Sequence, residues 1–273
     1  IMYGTTLNYE CRFFIEGVPL NKYTELSGIN SLDIGYQNSS SINKPLGSVR
    51  GVTTVAGSTS QNVSFSRSLI YDDPVLGFTG ESEAMRGRFN YKNNNINYGF
   101  ESGYLQSYSV NCAVGSIPKV NASFVVYDEM RSGLPVPQGN LSPLPIDVPS
   151  QGSMTATCDN SATNRVLGFD YSLSIKKIPY YTIGSETPVE VKHINPIEYT
   201  AAVQIDVDDI FLASGFSFFE EGRSDKNVSF SVQGRNGTTL QTLTVPNASL
   251  VSEQLNASAD GSVRLTLNYI GHS

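Results

Sequence analysis

From Tyr199 to Phe211 the chain reads YTAAVQIDVDDIF, with Val203, Ile205 and Val207 at alternate positions and Gln204, Asp206 and Asp208 between them. Strict alternation predicts an antiparallel strand with one face in a core and the other wet. Much of the chain follows the same rhythm. LQSYSVNCAVGSIPKVNASFVVYD (105–128) reads as two strands about a Gly-Ser-Ile-Pro turn. LVSEQLNASADGSVRLTLNYI (250–270) reads the same way, with Asp260-Gly261-Ser262-Val263 at its turn. Asn236-Gly237 marks another tight hairpin, and Asn93-Asn94-Asn95 can supply the same positive φ. Helix signals are few. The best are Asp72-Asp73-Pro74 onward and the region from Asp208 to Glu221.

Four patterned elements recur in the same order. LDIGYQNSSSINKPLGS (32–48) matches FDYSLSIKKIPYYTIGS (169–185) at an offset of 137 residues. TSQNVSF (59–65) matches YTAAVQI (199–205) at 140, setting Val63 and Phe65 against Val203 and Ile205. RFNYKNNNINYGF (88–100) matches SFSVQGRNGTTLQTL (229–243) at 141, and the closing hairpins match at 145. Offsets that rise slowly in order are what small loop insertions in a duplicated unit produce. Residues 129–164 lie between the copies and hold five of the 13 prolines. Proline cannot donate to a strand ladder, so the segment reads as an extended, semi-rigid connector. The expected organisation is mainly β: a first β domain at 1–133, a Pro-rich extended connector at 134–164 and a second β domain at 165–273. Each is a β-sandwich or barrel with at most one short helix.

Composition agrees with this: 39% of residues are apolar and only 16% charged, with abundant Gly, Ser, Thr and Asn. The net charge is −7, and no run of Lys and Arg appears, which argues against clamping of nucleic acid. Three cysteines, Cys11, Cys112 and Cys158, without a CxxC pair predict reduced, mostly buried thiols rather than a disulfide framework or a zinc site. Neither a signal-peptide core nor an apolar run of membrane-spanning length is seen, so a soluble protein made in a cytoplasm is expected. Eight Asn-x-Ser/Thr triplets, from Asn38 to Asn256, are read as chance in a chain rich in these residues.

Candidate chemistry is sparse. The only histidines are His193 and His272. The acidic neighbours Asp72-Asp73, Asp208-Asp209 and Glu220-Glu221 do not face one another across a cleft, as glycosidic chemistry requires. Arg86-Gly87-Arg88 reads as a solvated turn beside a hairpin strand. No catalytic residue, cofactor site or metal site is expected. A tandem β-domain without visible chemistry points to an assembly, in which open edges join neighbouring sheets.

The VNCAVGSIPKVNASFVVYD hairpin, the FESGYLQSYS before it and the LDIGYQ…INKPLG opening resemble the tail-tube family of bacteriophages. That family shares its fold with the type VI secretion tube and with phage baseplate hub proteins. The resemblance implies a sandwich or barrel with a flanking helix, six domains to a ring, and sheets fused into a continuous inner barrel. With two domains per chain, three chains complete one pseudo-sixfold ring, and stacked rings form a conduit for DNA ejection in a virion tail. Implied partners are further copies of the chain and other tail proteins (tape measure, terminator, baseplate or sheath). DNA passes without specific binding, and no membrane is involved. Candidate inter-ring arms are the loop 38–60 and the connector with Pro135, Pro137, Pro143, Pro145 and Pro149. If the wet face of 203–209 lines the lumen, Asp206 and Asp208 belong to that lining. Duplex DNA carries one negative charge per ~1.7 Å, so a neutral or acidic wall lets it slide. Competing expectations are a single-ring hub, distal-tail or neck protein, a carbohydrate-binding double β-domain, and an enzyme with an unrecognised site.

Overall fold

A computed structural model describes residues 11–17, 23–43, 53–69, 73–80, 84–91, 96–135, 152–159, 161–219, 226–234, 236–257, 259 and 261–273. The protein is mainly β, and among the described residues every strand pairs antiparallel within one connected network of 15 strands. The first half contains β1 (Cys11–Gly17), β2 (Thr24–Glu25), β3 (Ile29–Asn43), β4 (Thr53–Ser68), β5 (Met85–Tyr91), β6 (Ile96–Ala113), β7 (Lys119–Val126) and the two-residue β8 (Arg131–Ser132). The second half contains β9 (Met154–Cys158), β10 (Ser161–Thr163), β11 (Val166–Tyr180), β12 (Glu190–Asp206), β13 (Lys226–Gln233), β14 (Thr239–Asn256) and β15 (Arg264–His272).

The halves repeat one pairing scheme. The first runs β2-β1-β5-β6-β7-β4-β3, and the second β10-β9-β13-β14-β15-β12-β11. Register irregularities fall at corresponding places. Asn30 is skipped between β3 and β4, and Leu167 between β11 and β12. Gln106 is skipped between β6 and β7, and Val251 between β14 and β15. Such bulges reset twist and side-chain direction, so matching ones mark matching backbone paths. Leu32 therefore corresponds to Phe169, Phe89 to Phe230 and Asn111 to Asn256.

One correspondence differs from the expected one. Val63 faces Phe124 and Ala201 faces Tyr269, so Val63 matches Ala201 and Phe65 matches Val203, at 138 residues rather than 140. A slip of two keeps every side chain on its face, so alternation cannot detect it.

Each half is a sandwich in which one long strand serves both layers, a known way of turning a corner between sheets. In β6, Ile96–Gly103 pairs with β5 in a back layer, and Gly103–Asn111 pairs with β7 in a front layer. In β14, Thr239–Ala248 pairs with β13, and Ser249–Asn256 with β15. The alternating apolar residues fill the space between. Phe13 stacks on Phe89 in the back layer and meets Phe65 of the front layer edge-on at 5.7 Å. In the second half Phe169 stacks on Phe230 at 5.0 Å. One apolar core runs through both halves. Cys112 and Cys158 are buried in it and Cys11 is half-buried; none of the three is in a disulfide.

Among the described residues each half carries one short helix after its corresponding strand, as the acidic starts predicted. The Asp73 carboxylate caps a 3-10 turn, Pro74–Phe78, by accepting from the Val75 N–H at 3.0 Å. The Asp208 carboxylate caps α1 (Asp209–Ala213) by accepting from the Phe211 N–H at 2.8 Å.

Three local expectations change. The loop 38–60 is largely hairpin, since β3 and β4 stay paired out to Asn43 opposite Thr53. The connector is shorter than 134–164, because Met154–Cys158 and Ser161–Thr163 are β9 and β10, with Ala156 opposite Phe230. All five prolines precede this stretch, and MTATC alternates buried with half-buried positions. Arg86-Gly87-Arg88 is no solvated turn. It lies within β5, where Arg88 is 4% exposed and donates to the Gly87 and Phe100 carbonyls at 2.9 Å. Glu101 pairs with both arginines.

Candidate assembly interface

The two halves meet through backbone. Strand β11 adds to the free side of β6, with Asp170 opposite Asn111, Tyr171 opposite Val110 and Leu173 opposite Tyr108. This joins the front layers into one eight-stranded sheet, β3-β4-β7-β6-β11-β12-β15-β14. The sheet has two edges without a strand partner among the described residues: the outer side of β3, and the outer side of β14 over its last residues.

Beneath the junction sits a polar cluster that alternation alone does not reveal. Arg67 and Asp73 form an ion pair with both side chains fully buried. The Tyr108 hydroxyl donates to Asp73 Oδ2 at 2.9 Å, and the Asp73 N–H donates to Gln241 Oε1 of the second half at 3.2 Å. Burial and the adjacent Asp73 carboxylate hold the Tyr108 phenol well above its usual pKa. Tyr171 also lies under the junction and donates to the Thr244 carbonyl at 3.3 Å; burial raises its pKa too. The corresponding second-half positions of Arg67 and Tyr108 are Ile205 and Glu253. Asp208, the counterpart cap of Asp73, pairs instead with the exposed Arg165 at 3.1 Å.

The front face turned away from the core carries mainly small polar side chains, with the exposed apolar Val251 and Ile270 among them. Ser109, Asn121, Ser172, Thr200 and Asn268 line a shallow depression of about 460 Å³ across the junction. The charged residues on its central rows are Asp33, Asp170, Glu198, Asp206, Lys119 and Arg264, with Asp206 opposite Arg264 and Glu198 paired with Lys176 at 2.9 Å. Across the junction Asn111 Nδ2 donates to Asp170 Oδ1.

The two acids singled out in sequence separate here. Asp206 ends β12 on this face, accepting from Ser262 Oγ at 2.7 Å. Asp208 lies beyond the strand as the helix cap, so it does not continue the row. Asp33 and Asp170 match each other in the two halves and share the face, a pairing legible in the repeated Leu-Asp and Phe-Asp of the sequence. Of the prolines named as an arm, Pro135 is exposed at the end of a described stretch. Pro137, Pro143, Pro145 and Pro149 lie outside the described residues.

His193 is on β12, with Nε2 at 2.5 Å from Asn195 Oδ1. Among the described residues no group of three or more His, Cys, Asp or Glu could hold a metal ion, and no helix is long and apolar enough to cross a membrane. No protein-family model matches the chain, and no curated protein sequence matches it.

Proposed function

We propose that the chain is a tail-tube subunit, a virion structural protein whose two matching halves are two of the six units in a ring of three chains. Rings stack into a hollow tube, with the small-polar face turned to the lumen as a path for DNA. The observation that carries this reading is the internal junction: two units of identical strand order are already fused edge to edge, and the fused sheet ends in the same two edges that it joined in the middle.

The free edges carry apolar side chains whose counterparts at the closed junction are covered. On β3, Ile34 is 40% and Tyr36 60% exposed, while their counterparts Tyr171 and Leu173 are 4% and 3% exposed. On β14, Leu255 is 41% exposed and its counterpart Val110 only 1%. A strand edge with a greasy margin is a site for another sheet to join.

The lumen assignment draws on the same face. Ser, Thr and Asn offer hydrogen bonds without a positive field, so phosphates find no cluster of cations to hold them. Asp206 remains in this lining, and Asp208 leaves it. The partners that follow are other copies of the chain and other tail components, such as a tape measure, a terminator, and a baseplate or sheath.

Electron microscopy of the purified protein, with the mass of one ring, tests the proposal. Three chains per ring in long regular stacks is the expected outcome. Isolated rings favour a hub, distal-tail or neck protein, and a monomer that binds glycans favours a carbohydrate-binding protein.

A further inference from the structure

We infer that the end of β14 in one chain pairs antiparallel with β3 of a second copy, in a register that sets Asn256 opposite Asp33, Leu255 opposite Ile34 and Glu253 opposite Tyr36. This rests on the ring reading above and names the contact that closes the ring. The register comes from the chain itself. At the internal junction Asn111, Val110 and Tyr108 stand opposite Asp170, Tyr171 and Leu173. The bulge-anchored correspondences carry β6 onto β14 and β11 onto β3, and with them each opposed pair.

Two independent features agree with the transferred register. The first is chemical. The internal junction is clasped by Asn111 donating to the Asp170 carboxylate, and the corresponding positions are again Asn and Asp, both exposed in the single chain. An amide donor to an ionised carboxylate is among the stronger polar contacts. The second is the apolar margin: in this register the exposed Ile34 comes to lie against the exposed Leu255.

The two kinds of junction are not copies in every respect. The buried Arg67–Asp73 pair and the Tyr108 hydroxyl bond have no equivalent beneath the second, where Ile205 and Glu253 stand. The junction between chains is therefore held by its backbone ladder, its apolar margin and the Asn–Asp clasp, and is the one that opens first.

The test is a pair of cysteines, Asp33→Cys with Asn256→Cys, mildly oxidised at ring-forming concentration. Directly opposed strand residues have Cα atoms within disulfide reach. Within one chain the two positions lie on opposite edges of eight strands, about 34 Å apart along the sheet, so a bond there joins two molecules. The expected products are covalent dimers and a closed trimer. A control pair two residues out, Asp33→Cys with Gln254→Cys, should cross-link at least about tenfold less, and the chain with only its native cysteines should not cross-link. Rings that form without the 33–256 bond, or that favour the control pair, overturn the register and leave the ring reading standing. Absence of both rings and cross-links overturns both.

A charge swap reads the clasp separately. Asn256→Asp sets two carboxylates together and should weaken association at least about tenfold. Adding Asp33→Asn should restore it to within about threefold. A double variant no stronger than the single one removes the clasp.

Discussion

Replacing Tyr36 and Leu255 with serine strips apolar surface from the two free edges at once. Tyr36 is 60% exposed and Leu255 41%, against 3% and 1% for their counterparts at the closed junction. Forming the second junction should thus cover a further half or so of each side chain. Full burial of such a side chain is worth about 1.5–3 kcal/mol, so the two together contribute about 1.5–3 kcal/mol per junction. That is roughly a 10- to 150-fold loss in association constant. The covered remainder of each side chain already packs within the chain, so unfolding stability falls as well, by about 1.5–3 kcal/mol. The two effects separate by experiment. Sedimentation equilibrium of the folded variant reads association, and urea unfolding at low concentration reads the chain. Ile270→Ser is the control, since Ile270 is 52% exposed on the front face but lies on β15, one strand in from the edge. It should leave association within about twofold. If it weakens assembly as much as the edge variant does, or if the edge variant assembles normally, the apolar margins are not the contact.

The two capping aspartates should differ in cost although they occupy corresponding places. Asp73→Ala removes a cap, the Tyr108 acceptor and the ion-pair partner of the fully buried Arg67, and should cost about 3–5 kcal/mol in urea unfolding, as expected for a stranded buried charge. Asp208→Ala, at a partly exposed cap, should cost about 0.5–2 kcal/mol; equal losses would contradict the account of the buried cluster. Burial pushes the Cys112 and Cys158 thiols from 9.0 up to about 12, so the folded chain holds these protons more tightly than the unfolded chain does. Their contribution to stability is complete below about pH 9 and declines as the pH rises toward 12, and the raised Tyr108 and Tyr171 act in the same direction above pH 10. Denaturation midpoints should fall over this range, and native-state thiol titration at pH 8 should find Cys11 reacting far faster than the other two. Gly271→Ala would place a methyl carbon 2.5 Å from the Pro246 carbonyl oxygen and Val245 Cγ1, and should cost about 1–3 kcal/mol by the same unfolding assay.

Alternation along 199–206, the Gly-bearing turns, the acidic helix starts and the order of the repeated elements follow from the side chains themselves. A period of two and a turn residue act locally, so the mainly β architecture, with at most one short helix to each half, was legible in the side chains. Three of the four offsets were legible for the same reason: Phe89 with Phe230, Leu32 with Phe169 and the closing hairpins each have a distinctive neighbour. The β4–β12 match slipped by two because a strand shifted by two presents the same faces. The tertiary structure decided what the side chains do not encode one by one. Strands β9 and β10 join the second half because β13 offers them a ladder, and Asp208 leaves the strand because α1 needs its cap. The Arg67–Asp73–Tyr108 cluster gathers residues from three separate elements into one buried site. The joining of β6 to β11 is above all a contact between backbones. Any strand can donate and accept along its edge, so no sequence pattern selects which edge meets which; the layered packing of the two halves brings those two together and leaves β3 and β14 open.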